Sequence, residues 1–424
     1  MPTAPLATDV LAHGVGGRQD LPLTPAQLAI GAALALVVSF LVLGAAWREP
    51  RLDPAAGRLV PGWLSGLVPA LTWPFRLAGL VLAAVLLVQF TKPDTDENPA
   101  AGLVYVLFWV GLVPLSLLLG PLWRKLNPLR TLVALIRRDG GRPLPAGLGY
   151  WPAAAGLFAF AWLELVAPDR ATLPVLGAWL AVYAAAMLAG GLVYGTAWFD
   201  RGDAFEVLGD LVGRLAPVGR RPDGALVWRN PLDGIAGLAA APGLVAVVVV
   251  LLGATFYDAM SGALFWLRFV QENGLPAPLT GTLGLLAVIA AVAAAYRAAT
   301  RAAGRRGRTS AERMPGELAH SIVPIAVGYI VAHYWSLFVL EGQRTVALLV
   351  GAEDFRPYSG IITPTGVANL QVTVIVLGHL LGTVLAHDRA LRLFPRARAV
   401  TGQVPLLGLM VAYTVSGLLL LFAG

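Results

Sequence analysis

Apolar stretches alternate with short polar ones along most of this chain. Ten of them meet or approach the roughly 20 residues that a helix needs to cross about 30 Å of hydrocarbon. They run approximately Gln27–Trp47, Val68–Phe90, Ala101–Trp123, Tyr150–Val166, Leu173–Trp198, Gly237–Tyr257, Leu279–Tyr296, Ile322–Val339, Val367–Ala386 and Val404–Phe422. The pattern predicts an all-α fold, a polytopic integral membrane bundle of about ten transmembrane helices. The second and fourth stretches carry the weakest signal. The second contains Arg76, whose long stem is expected to let the guanidinium snorkel to the nearer interface.

The polar segments between these stretches are not alike. Those after spans one, three, five, seven and nine hold 24 Lys or Arg, whereas the N-terminal segment and the even-numbered loops together hold 6. By the positive-inside rule the arginine-rich loops are cytoplasmic, which places both termini outside. No span has to be dropped or added to keep the alternation. The net charge of +7 then reflects topology and attraction to an anionic inner leaflet, and gives no reason to invoke nucleic acid. The first 24 residues carry Asp9, His13, Arg18 and Asp20 with no apolar run, so they read as an external segment rather than a cleavable signal. Residues 25–424 read as a single transmembrane domain. Arginine outnumbers lysine 29 to 2, a bias of GC-rich bacterial coding, so the expected location is a bacterial cytoplasmic membrane.

Two cytoplasmic loops, about 124–148 and 200–235, carry helical periodicity. Asn127 before Pro128 reads as a helix cap, followed by Leu129, Leu132, Val133, Leu135 and Ile136 on one face. Asp203 and Glu206 stand at capping-box spacing ahead of Phe205, Leu208, Leu211, Val212 and Leu215. Both segments are expected to lie flat in the headgroup region as interfacial amphipathic helices. The similar runs WRKLNPL from Trp123 and WRNPL from Trp228 suggest the same device used twice, with Asn-Pro starting a helix each time.

Composition narrows the chemistry. With 57% hydrophobic and 13% charged residues and a mean hydropathy of +0.73, the chain has more apolar surface than one soluble core can hide. Zero cysteines exclude disulfides, thiolate metal sites and cysteine nucleophiles. No phosphate-binding loop, nucleophile elbow or dinucleotide fingerprint occurs, so no cofactor is named.

Ionisable and polar groups inside a bilayer are costly, which makes each a functional candidate. Span eight carries Tyr329, His333 and Ser336 on one helical face, and span nine carries Asn369, Thr373, Thr383 and His387 with His379 at the edge of that face. Because these spans are consecutive and antiparallel, His333 and His379 are expected at similar depth, facing each other. Asp258 falls in a run too long for one straight crossing, with Ser261 and Gly262 marking a bend, and Glu341 ends span eight. These residues define an expected path for a small solute or ion, with Asp258 and Glu341 toward its outer mouth. His13, Asp258 and His333 are weak candidates for an outward-facing metal site, since no tight ligand spacing joins them. Asp94, Asp96 and Glu97 read as a solvated turn capping span three, and Pro114 and Pro324 as sites where helices can bend.

The segments AHGVGGRQDLP from Ala12, RGDAFEV from Arg201, RNPLDG from Arg229, AHYWSL from Ala332 and GHLLGTVLAHDRAL from Gly378 resemble a family of uncharacterised multi-pass bacterial membrane proteins. The likeness covers most of the chain. Members sometimes bear the label fenitrothion hydrolase, an organophosphate esterase activity; the resemblance transfers no catalytic residue, and no nucleophile or binuclear metal pattern accompanies it here. Three functions therefore stand as expectations. The first is a transporter or permease for a small solute or ion, the second a membrane-embedded hydrolase or metal-handling protein, and the third a noncatalytic scaffold or assembly factor. Partners beyond the lipid bilayer, and the oligomeric state, are not encoded in any motif.

Overall fold

The computed structural model describes residues 24–421 apart from 138, 139, 306, 308, 361, 396 and 397. The external segment expected over residues 1–24, His13 included, lies outside the described residues except for Thr24. Thr24 itself caps the first helix, its hydroxyl accepting from the Gln27 amide at 3.3 Å.

The long helices follow the apolar pattern: α1 (Pro25–Ala46), α2 (Thr72–Gln89), α3 (Gly102–Leu119), α4 (Pro128–Ile136), α5 (Trp151–Leu165), α6 (Leu173–Tyr194), α7 (Ala204–Gly213), α8 (Leu244–Ser261), α9 (Leu264–Glu272), α10 (Ala277–Gly304), α11 (Val323–Leu349), α12 (Pro364–Leu393) and α13 (Val404–Leu421). Nine helices among the described residues are long and apolar enough to cross a membrane. The fourth expected span, α5, has 15 residues and falls short of that length. Leu34 on α1, Leu77 on α2 and Val182 on α6 expose about 60–70% of their surface, an arrangement that suits lipid and not water. The chain is therefore a helical, multi-pass membrane protein.

Its packing divides into two compact units. The first comprises Gly57–Asn230 and Tyr334–Thr363, and the second the described residues up to Ala56, Pro231–His333 and those from Pro364 onward. α11 contributes to both. Neither unit is a sequential half of the chain.

In the first unit, three short strands absent from the sequence reading form an antiparallel sheet, β1 (Arg58–Leu59), β2 (Val218–Arg220) and β3 (Leu226–Trp228), with β3 in the middle. α3 begins as a π-helix over Gly102–Val110 and becomes α-helical at Gly111. Pro114 cannot donate to the Val110 carbonyl, and the wide turns end just there. Asn127 caps α4 as its sequence predicts, its carbonyl oxygen accepting from the Leu129 and Arg130 amides. α4 exposes Leu132, Leu135 and Ile136 while burying Arg130, Thr131 and Val133. α7 departs from expectation. It is not an interfacial helix, since every residue but Asp210 is buried within the unit. Small residues allow this: Ala204 approaches Gly156, and a Cβ on Gly213 would sit 2.6 Å from the Pro121 nitrogen. Phe205 then fills the interior against Phe108, Trp109, Phe160 and Tyr183.

The second unit is built on α1, α8, α10, α12 and α13, joined by α11 up to His333. Glycines set its central seam. A Cβ on Gly328 would lie 2.5 Å from the Val374 carbonyl oxygen, one on Gly378 2.6 Å from that of Pro324, and one on Gly382 2.7 Å from that of Ser321. α11 and α12 therefore touch backbone to backbone, as small-xxx-small helix pairs do in membranes. Pro324 stands in the first turn of α11, after a 3₁₀ turn over Ala319–Ile322, so it starts a helix instead of kinking one.

Asp388 near the end of α12 ties down the segment after α1. Its Oδ1 accepts from Trp47 Nε1 at 3.2 Å, from the Arg51 amide at 2.6 Å and from the Leu52 amide at 3.2 Å. His387 beside it meets the Trp47 carbonyl through Nε2 at 2.9 Å and accepts from Gln403 at Nδ1 at 3.2 Å, which fits the neutral tautomer protonated at Nε2. Asp388→Ala removes one acceptor from three donors at once, and we expect it to cost about 2–3 kcal/mol. Thermal unfolding in detergent should fall accordingly, and trypsin should cut faster at Arg48 and Arg51; an unchanged digestion rate would show that Asp388 is not the anchor.

Candidate functional site

α8 is apolar from Leu244 to Gly253 and turns polar only in its last two turns, at Thr255, Asp258 and Ser261. It ends where the Ser261 hydroxyl donates to the Asp258 carbonyl at 2.8 Å, followed by Gly262 and the extended Ala263 that opens α9. The bend read from Ser261 and Gly262 is present. Tyr257 is carried toward Trp266, the rings 5.7 Å apart, while Asp258 turns inward with only 3% of its side chain exposed.

There it meets α11. His333 Nε2 lies 3.0 Å from Asp258 Oδ2, with 12% of the imidazole side chain exposed. Tyr329, one turn earlier, stacks its ring on that of His333, centroids 5.6 Å apart and planes 11° from parallel. A carboxylate with an imidazolium is neutral as a pair, and so is a carboxylic acid with an imidazole. Apolar surroundings tolerate either form, whereas an isolated charge there is costly. Such a pair can hold a proton, or exchange it for another cation, without leaving net charge among apolar helices.

The remaining candidates are distributed as follows. His379 is buried, its Nδ1 2.9 Å from the Ile375 carbonyl oxygen, and its Nε2 makes no hydrogen bond among the described residues. Thr383, also buried, donates to the His379 carbonyl at 2.9 Å and lies 3.5 Å from the Met410 sulfur on α13. Asn369 and Thr373 are exposed, so the polar positions of span nine do not share one environment. Ser336 is buried, and Glu341 pairs with Arg344 at 3.7 Å; both belong to the other compact unit, and Glu341 lies within α11, which continues to Leu349.

His333 and His379 do not face each other. The seam contacts set Ser321 opposite Gly382, Pro324 opposite Gly378 and Gly328 opposite Val374, which puts His379 opposite residue 323. That is ten residues from His333, about 15 Å at 1.5 Å per residue. Consecutive antiparallel spans bring the two histidines to one depth only if their apolar stretches align, but both helices extend beyond those stretches and the glycines fix a different register. Among the described residues no third His, Asp or Glu joins Asp258 and His333 in a group able to hold a metal.

A second polar cluster, in the first unit, was only half anticipated. Arg130 Nε donates to both Glu206 oxygens at 2.9 and 3.0 Å, and its Nη2 pairs with Asp200. Asn127 Nδ2 donates to Glu206 at 2.8 Å and to Asp203 at 3.1 Å. Asp203 caps α7 as its spacing predicts, accepting from the Phe205 and Glu206 amides at 2.9 Å. Glu206 does not complete the capping box, because its carboxylate turns to Arg130. Burial raises the Glu206 carboxyl to about 7; the Arg130 guanidinium opposes that rise and Asp203 adds to it. Burial raises Asp203 as well, against the pull of its hydrogen-bond donors. Capping spacing signalled these residues locally, but no sequence period says that the two loops meet.

Comparison with family models, with curated proteins and with solved structures yields no match.

Proposed function

We propose that the chain is a membrane permease for a small solute or ion, with the Asp258–His333 pair as the charge-exchanging site of its path. The observation that carries this reading is a buried carboxylate and a largely enclosed imidazole 3.0 Å apart between apolar helices. Buried ionisable groups at membrane depth are rare and mark ion or substrate paths. Tyr329, His379 and Thr383 add further polar groups on α11 and α12 within the same unit. The arginine-rich loops set the orientation, cytoplasmic on their side of a bacterial plasma membrane with both termini out. A hydrolase that uses a metal would need a further ligand beside the pair, and among the described residues no third His, Asp or Glu joins it.

Purified protein in proteoliposomes on a solid-supported membrane should give charge movements on jumps of pH, sodium or potassium. Asp258→Asn and His333→Gln should each reduce the current at least tenfold while the protein stays monodisperse. Wild-type currents no larger than those of empty liposomes for all three cations would overturn the reading, as would full currents in both variants.

A further inference from the structure

The buried polar atoms of the second unit that lack hydrogen-bond partners of normal geometry among the described residues include the ring nitrogens of His320, His379 Nε2 and the Tyr329 hydroxyl, which sits beside the Ala259 backbone. Burying such groups unsatisfied is costly, so native proteins supply them with ordered water or a ligand. The placement of the last two is related. Gly328 and Gly378 face the seam, and Tyr329 and His379 each follow one residue later. On antiparallel helices one step forward rotates both side chains to the same side of the seam. Along the axis Tyr329 is six residues from the level of His379, about 9 Å. Helical side chains lean toward their own N-terminus, and in an antiparallel pair these two lean toward each other. What separates the phenol from the imidazole is then of the order of one or two water molecules.

The hydrogen-bonding roles are complementary. With Nδ1–H given to the Ile375 carbonyl, a neutral His379 presents Nε2 as a bare acceptor. Tyr329 presents a hydroxyl that both donates and accepts, and its ring lies on His333. Thr383, four residues after His379, continues the row toward the His387 end of α12, and His333, four after Tyr329, continues it to Asp258.

We propose that His379 and Tyr329 hold a short chain of internal water that carries protons between the Thr383 end of α12 and the Asp258–His333 pair, which makes the proton the ion this permease uses. The proposal rests on the permease reading and names its ion and its route. One proton enters and one leaves. Water delivers a proton to His379 Nε2, which returns it to the next water while the Nδ1 hydrogen stays on the Ile375 carbonyl. The Tyr329 oxygen accepts a proton from that water as its own hydrogen passes on, and the Asp258–His333 pair takes up the charge. Of the other titratable groups on the surrounding helices, His320 is buried at the Thr383 end of the row, beside the Leu385 and Glu317 backbone, while the Tyr296 hydroxyl donates to the Pro315 carbonyl, that of Tyr413 to the Val292 carbonyl, and Tyr257 packs on Trp266. His387 and Asp388 hold the segment after α1, and Arg389 binds Glu317.

Proteoliposomes enclosing a pH-sensitive dye, driven by a potassium gradient with valinomycin, test the route. Tyr329→Phe keeps the ring stack and removes only the hydroxyl, and His379→Phe fills the site without an acceptor; each should lower wild-type proton flux at least fivefold. The exchange of the His379 ring C2 hydrogen for deuterium, read by mass spectrometry, should be measurable in the folded wild type and slow at least threefold in Tyr329→Phe. Full flux in both variants, with Asp258→Asn inactive, would overturn the route and leave the permease reading intact. Wild-type flux equal to that of empty liposomes, with sodium or potassium currents intact, would overturn the proton as the ion; no current for any cation would overturn both.

Discussion

Arg130→Met is expected to destabilise the protein by about 3–5 kcal/mol, the usual cost of removing one partner from a buried ion pair. The guanidinium is 10% exposed and Glu206 3% exposed, and three carboxylates, Asp200, Asp203 and Glu206, gather around Arg130 and Asn127. Without the cation, two of these acids remain buried with neutral donors, among them the Asn127 amide, the Tyr183 hydroxyl and backbone amides. The double variant Arg130→Met with Glu206→Gln should recover at least half of the loss, because it removes the charge left unpaired; no recovery would mean that Arg130 acts through its packing on Phe199. The pH dependence has a definite sign. The folded carboxyl of Glu206 is raised to about 7 and the unfolded one lies near 4.3, so between these values the folded state binds more protons. This contribution is fully present below the lower value and is lost as pH rises through about 7. Glu206→Gln keeps the neutral form at every pH. Its stability relative to wild type, read by thermal unfolding in detergent, should therefore increase from pH 5 to pH 8; a constant or falling difference would contradict the raised carboxyl.

The same residues mark how far the sequence could be read. Apolar periodicity located every long helix, because each needs only a local run of lipid-compatible side chains. Local caps were legible too, at Asn127 and Asp203, since cap and capped amides are neighbours in sequence. What stayed hidden depends on contacts between distant segments. The turn of Glu206 to Arg130 joins two loops 76 residues apart in sequence, and the burial of α7 follows from glycines whose neighbours no period can name. The Asp258–His333 contact was nearly legible, since both residues stood out as ionisable groups among apolar ones. The facing of His333 and His379 was not legible, because consecutive antiparallel spans can slide along each other by about two turns with little change in their apolar pattern. Three glycines decide the register, and small residues give hydropathy no signal.

Those glycines carry the second large effect. Gly378→Leu should prevent the native packing of α11 on α12, with a loss of more than about 3 kcal/mol, and Gly378→Ala should cost about 1–3 kcal/mol. The Cβ that either change introduces would meet the Pro324 carbonyl oxygen at 2.6 Å, its carbon at 3.3 Å and the Ile325 Cα at 3.4 Å. These are backbone atoms, so relief requires the helices to separate. On α13, Gly408 has nothing within 4 Å of its would-be Cβ, and Gly408→Ala should be neutral or stabilising by up to about 1 kcal/mol through helix propensity. Thermal unfolding followed by size-exclusion chromatography reads the series; equal behaviour of the Gly378 and Gly408 alanine variants would contradict the close seam. Separation of the helices has a further consequence. It would widen the gap between Tyr329 and His379 beyond what one or two waters span, so Gly378→Ala should lose proton flux in liposomes even where it remains folded. Stability and conduction would then depend on the same three glycines: Gly328 and Gly378 bring the two helices close enough for a phenol and an imidazole to share water, and Gly382 keeps them in register.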